Sequence, residues 1–148
     1  MKATQQPTTT TDLDPDMTPG VLLRSAAIYL QRYGWIRNDF FDLTNEVNFP
    51  PACALGAINV CAHGRPILGS DDTADDDNTD TAIRGVRVFA AYLDPEYDSA
   101  DTVTWKASAF DVVSQWNDEQ DRTIKDVTAA LNDAADEWDS THHTRGAR

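Results

Sequence analysis

The chain has 148 residues, with 25 acidic side chains against 12 basic ones, a net charge of −13 and only three Lys. That length sets one domain, and that charge argues against direct binding to nucleic-acid backbones or to the anionic membrane leaflet. Two Cys, an N-terminus without an apolar leader and no apolar run of bilayer length point to reduced thiols, a cytoplasmic location and no membrane partner.

Residues 1–17 hold a Thr run and an Asp-Leu-Asp-Pro-Asp run with almost nothing to bury, so they read as a disordered tail, as do residues 140–148. The domain is expected over 18–139. Its first helix is capped by Thr18, with Pro19 at the first helical position, and Leu22, Ala26, Leu30 and Tyr33 recur on one face. Gly34 stops it, and Trp35 is placed to fold back on Leu30 as the hydrophobic contact of a Schellman cap. Residues 38–49 fit either a helical face (Phe40, Leu43, Val47) or a small hairpin turning at 44–46. The pattern leaves both open.

Residues 51–62 are apolar except for Asn59, which predicts a short central helix buried on all sides, with Pro51 in its first turn and Gly64 as its left-handed stop. A loop at 69–81 follows, carrying six acids between Asp71 and Asp80 and no base. Ile83, Val86, Phe89, Ala90 and Leu93 make the next helical face, capped by Asp80 or Thr81. Gly85 within it, like Gly56 in the central helix, predicts a close helix crossing. Trp105, Ala109, Val112, Val113 and Trp116 give a fourth face, capped by Thr104 and broken at Asn117-Asp118. Thr123 and Asp126 form a capping-box pattern before a last helix whose core stripe runs from Val127 through Leu131 and Ala134 to Trp138. The fold class is all-α, with about five helices around the central one.

Chemistry is sparse. Cys53 stands in the first turn expected of the central helix, where amide dipoles favour a thiolate, but His63 lies ten residues along the same helix, roughly 15 Å away, and cannot serve as its base. Cys53 and Cys61 are too far apart along that helix to form a disulfide. Neither zinc-ligand spacing nor a calcium loop is present: Asp76 and Ala82 stand where the loop needs Gly and Glu. Asp71-Asp72-Thr-Ala-Asp75 matches an aspartate-rich magnesium motif once, where two facing copies are needed. Asp133 and Asp136 fall opposite the core stripe of their helix and read as solvent-facing. No metal and no cofactor is expected.

The remaining cluster is Trp116-Asn117-Asp118 with Arg122, joined by Asn59 as the amide of the most buried helix. It reads either as a helix–helix turn with its polar groups capping ends, or as a small-ligand site with an aromatic floor. The order Gly34-Trp35, Cys53-Ala-Leu-Gly-Ala57, Trp116-Asn-Asp118 and Arg122-Thr-x-x-Asp-Val127 resembles an uncharacterised family of short actinobacterial and actinophage proteins over residues 21–138. The resemblance implies a cytosolic protein of a high-GC bacterium or its phage and supplies no activity. The expectation is a small acidic accessory or interaction protein, phage-encoded and directed at a basic host protein. The alternatives are a cysteine-dependent enzyme using Cys53, and a ligand binder at the turn from Trp116 to Arg122.

Overall fold

The computed structural model describes residues 17–66, 76–97 and 108–142. Five helices occupy them: α1 (Pro19–Tyr33), α2 (Ala54–His63), α3 (Asp76–Leu93), α4 (Ala109–Asn117) and α5 (Ile124–His142). No strand occurs among the described residues, and the all-α class holds. α1 lies along α5 and also touches α2 and α3, while α3 packs on all four other helices. The shared core is built from fully buried Leu22, Leu23, Leu30, Ile58, Phe89 and Leu131.

The caps explain where the helices begin. Thr18 Oγ1 accepts the Val21 amide at 3.1 Å, with Pro19 following it. Thr123 and Asp126 form the reciprocal box, Asp126 N donating to Thr123 Oγ1 at 3.2 Å and Thr123 N to Asp126 Oδ2 at 3.0 Å. Each such cap stabilises its helix by about 1 kcal/mol. Gly64 takes the left-handed conformation at the end of α2, φ 78°.

Several boundaries differ from the sequence reading. α4 starts at Ala109, capped by Ser108 with Asp111 completing a capping box, and not at Thr104; Thr104 and Trp105 lie outside the described residues. α3 starts at Asp76, so the last part of the acidic run is helical and the loop does not reach 81; carboxylates near a helix N-terminus are favoured by the backbone dipole. Its earlier part lies outside the described residues. α5 continues to His142, past the expected end of the domain, and His142 stacks flat on Trp138 with ring centroids 4.1 Å apart.

The segment between α1 and α2 is neither a helix nor a hairpin. Gly34 turns the chain into an extended course (φ 110°, ψ 156°), so Trp35 runs beside Ala52 and no Schellman turn forms. Residues 50–53 then lie extended between two neighbours. Ile36 N donates to Ala52 O and Ala52 N to Gly34 O on one side, while Asp42 N donates to Pro51 O and Cys53 N to Phe40 O on the other. Pro51 is therefore outside the helix, and α2 begins only at Ala54. The paired backbone groups of Ala52 and Cys53 explain why a helix does not start sooner.

Glycine has a different use at two of these contacts. A Cβ on Gly85 would stand 2.6 Å from Leu22 Cδ2 and 3.6 Å from Ile58 Cγ2, which marks the expected crossing of α3 over α1 and α2. A Cβ on Gly56 would overlap the Phe40 carbonyl oxygen, so the close approach there is to the connecting segment and not to another helix.

Candidate functional site

Of the residues singled out by sequence, Cys53, Trp116, Asn117, Asp118 and Arg122 converge on the junction between the start of α2 and the end of α4. Asn117 is at its centre, 0% exposed. Its Oδ1 accepts from Trp35 Nε1 at 2.7 Å and from Ala54 N at 3.0 Å. Its Nδ2 donates to Ile36 O at 3.1 Å and to Asp118 Oδ1 at 3.0 Å. A carboxamide offers two acceptor sites and two donor hydrogens, and all four are used. One side chain thus ties the α4 terminus to the first amide of α2 and to the segment leaving α1.

The neighbours extend the same clasp. Asp118 Oδ1 also accepts from Asn38 N at 2.9 Å, where Asn38 has φ 73°, a conformation Asn tolerates. Arg122 lies 4.0 Å over the Trp116 ring, donates from Nε to Trp116 O at 2.9 Å and pairs with Glu119 at 2.6 Å. Trp116 in turn meets Phe89 edge-on at 5.8 Å. Arg37, over the Trp35 ring at 4.8 Å, donates to the Glu119, Gln120 and Arg122 carbonyls and so closes the turn between α4 and α5. The sequence reading did not weigh Arg37; its partners are carbonyls more than 80 residues away.

Cys53 is the N-cap of α2, with Sγ accepting the Gly56 amide at 3.4 Å. It is 5% exposed. Burial pushes its thiol up to about 11, with nearby Asp118 adding to the rise, although the Gly56 and Leu55 amides pull the other way. The dipole effect anticipated at this position is present but smaller than the desolvation cost. His63 faces away in function as well as distance: Nδ1 bonds the Asn59 carbonyl at 2.9 Å and Nε2 lies 3.3 Å from Thr79 Oγ1. Cys53 is therefore a protonated thiol at neutral pH, and His63 is engaged elsewhere. A cleft of about 370 Å³ opens beside it, lined by Asn38, Asp39, Phe40, Leu55, Ser114 and Asp118 as well as Cys53 itself.

Asn59 is not part of this junction. It is only half-buried, one turn before His63 on the same face of α2, and makes no hydrogen bond to the Asn117 network. Burial pushes the Cys61 thiol up to about 12, and neither cysteine is in a disulfide. Asp133 and Asp136 are exposed. Asp136 pairs with Arg24 at 2.7 Å, and Asp133 accepts from the Tyr92 hydroxyl at 3.4 Å. Among the described residues no group of three or more His, Cys, Asp or Glu could hold a metal ion, and no helix is long and apolar enough to cross a membrane.

A second region stands out by exposure. Every residue from 43 to 49 is exposed, and Leu43, Val47 and Phe49 are 59%, 54% and 39% accessible. The stretch is anchored at both ends. Asp42 Oδ1 accepts from Thr44 N and Oγ1 at 3.0 and 2.7 Å, and Phe49 leans on Tyr33 at 5.6 Å. Tyr29, whose hydroxyl burial raises to about 12, donates to Pro50 O at 2.6 Å. Asp39 and Glu46 are exposed on the same connection.

Comparison with known proteins adds one identification. The chain belongs to a family of unknown function, DUF6197, whose model matches residues 14–137. Neither the curated proteins nor the solved structures contain a match to it.

Proposed function

We propose that the protein works by binding a basic protein partner in the cytoplasm, and that the connection over residues 42–49 is its contact surface. The observation that carries this reading is the exposure of Leu43, Val47 and Phe49 on a backbone tied down at both ends. Large apolar side chains grouped on a surface loop mark interaction sites more often than scattered ones do. Asp39, Asp42 and Glu46 around them favour a cationic counterpart, in line with the net charge of −13. A phage-encoded chain of this kind would meet such a partner in its host. Support for binding over catalysis comes from Cys53, whose thiol is buried and protonated, and from Asn117, whose polar atoms are all engaged internally.

The test is affinity capture with the full chain and with a Leu43→Ser/Val47→Ser variant at matched thermal stability. The expected result is a cationic protein retained by the wild type, released by raised salt and lost with the variant. Equal retention by the variant would overturn the assignment of this surface.

A further inference from the structure

α3 and α5 flank a cleft of about 450 Å³ that shares no lining residue with the Asn117 junction. That is within the range of small-molecule sites. The two helices run antiparallel: the Tyr92 hydroxyl near the end of α3 reaches Asp133 in the first half of α5, and Arg84 lines the same cleft as His142 at the end of α5. The cleft therefore has two unlike walls. α3 contributes Arg84 and Arg87, one helical turn apart, both exposed and neither in an ion pair among the described residues. α5 contributes Glu137, the one carboxylate lining the cleft, and Trp138. His142 lies flat on the indole with an interplanar angle of 5°, and its Nδ1 is 2.9 Å from the Trp138 carbonyl, which fixes the two rings as a unit. Val88 and Ala134 complete the interior with apolar surface.

Unpaired guanidinium groups are unexpected in a chain with twice as many acids as bases. Both side chains are exposed at the cleft, and among the described residues neither is paired with a carboxylate. Two guanidinium forks at i and i+3 match an anion with several oxygens, above all a phosphate. The stacked Trp138 and His142 rings, both lining the cleft, offer a planar ring a surface to pack against. A carboxylate adjacent to that indole suits ring N–H donors and repels a second anionic group. Phosphate, planar ring and ring N–H donors coexist in one ligand class.

We infer that the α3–α5 cleft binds a guanine nucleoside monophosphate, with its phosphate on Arg84 and Arg87, its base against the Trp138–His142 pair, and the N1–H and N2–H edge of the base toward Glu137. The overall negative charge of the protein opposes anions at long range, so recognition rests on these short-range contacts and not on steering. The site is separate from the connection at 42–49 and stands or falls independently of that reading.

The experiment is calorimetric titration of the full chain with GMP, and separately with guanosine and with inorganic phosphate. GMP is expected to bind saturably at one site, with guanosine and phosphate each at least tenfold weaker. Arg84→Ala/Arg87→Ala, at two exposed positions that leave the core intact, is expected to weaken GMP at least tenfold. Glu137→Gln is expected to weaken GMP severalfold and leave phosphate unaffected. The inference is overturned by the absence of saturable GMP binding at millimolar concentration, by phosphate binding as tightly as GMP, or by a double arginine variant that binds GMP like the wild type.

Discussion

The junction around Asn117 and the connection over 42–49 are adjacent parts of one chain path, yet they treat their side chains in opposite ways. At the junction, an amide, a carboxylate and two guanidinium groups turn inward and bond to backbone and to each other. On the connection, Leu43 and Val47 turn outward and Phe49 is only partly covered by Tyr33, although fully burying each would be worth about 1.5–3 kcal/mol. The polar groups hold the fold together, and the apolar ones stay available. A cluster of chemically able residues is therefore not by itself a site: what matters is whether its polar atoms are already engaged.

The comparison predicts a graded set of stability effects. Asn117→Ala removes one side chain and leaves the Trp35 indole N–H, the Ala54 amide and the Ile36 carbonyl without their partner, so urea denaturation should show a loss of about 3–4 kcal/mol. Gly56→Ala should cost about 3 kcal/mol in the same assay, because its Cβ would overlap a backbone carbonyl that is itself bonded to Cys53 N. Gly85→Ala should change stability by about 1 kcal/mol or less. The displaced atom there is the end of the Leu22 side chain, and Ala gains helix propensity over Gly.

Alkaline pH should sharpen the contrast by acting on the buried thiols and on the Tyr29 hydroxyl. The folded protein raises Cys53 from 9.0 to about 11, so it holds that proton more tightly than the unfolded chain does. The stability this contributes is present below pH 9 and is lost as pH climbs toward about 11, on the order of 2 kcal/mol. Cys61 and Tyr29, each raised to about 12, extend the loss further upward. Thermal melts from pH 8 to 11 should show a falling midpoint, and Cys53→Ala should flatten the first part of the fall. Leu43→Ser/Val47→Ser should have the smallest effect of all, within about 0.5 kcal/mol of wild type, since both side chains are already in water.

How much of this was legible in the sequence depended on the range of the interaction. Thr18 with Pro19, Thr123 with Asp126, and Gly64 act within a few residues, and the pattern reveals them directly. Ser108 and Asp111 form an equally local box that could have been read in place of Thr104. The Asn117 clasp could not. Its partners lie 63 to 82 positions away in all but one case, and nothing around Trp116-Asn117-Asp118 says which atoms will meet Trp35 or Ala54. The same limit explains the choice between the two amides. Asn59 sits among apolar neighbours in sequence but lies on the half-buried side of α2, whereas Asn117, flanked by Trp116 and Asp118, is the one fully enclosed. The connection at 38–49 misled for a related reason. Its apolar spacing satisfies two local patterns, while its course is set by hydrogen bonds to Pro51, Ala52 and Cys53.

The closed state of the junction can be tested at Cys53, which neighbours Ala54, the first amide held by Asn117. With Cys61 replaced by Ala, the rate of iodoacetamide labelling of the native protein is measured against pH. The account predicts labelling only at the rate of global unfolding, with no fast phase at neutral pH. Rapid labelling with an apparent pKa below the free-thiol value of about 8.5 would contradict it, since the thiol would then be open and activated, not buried in the clasp.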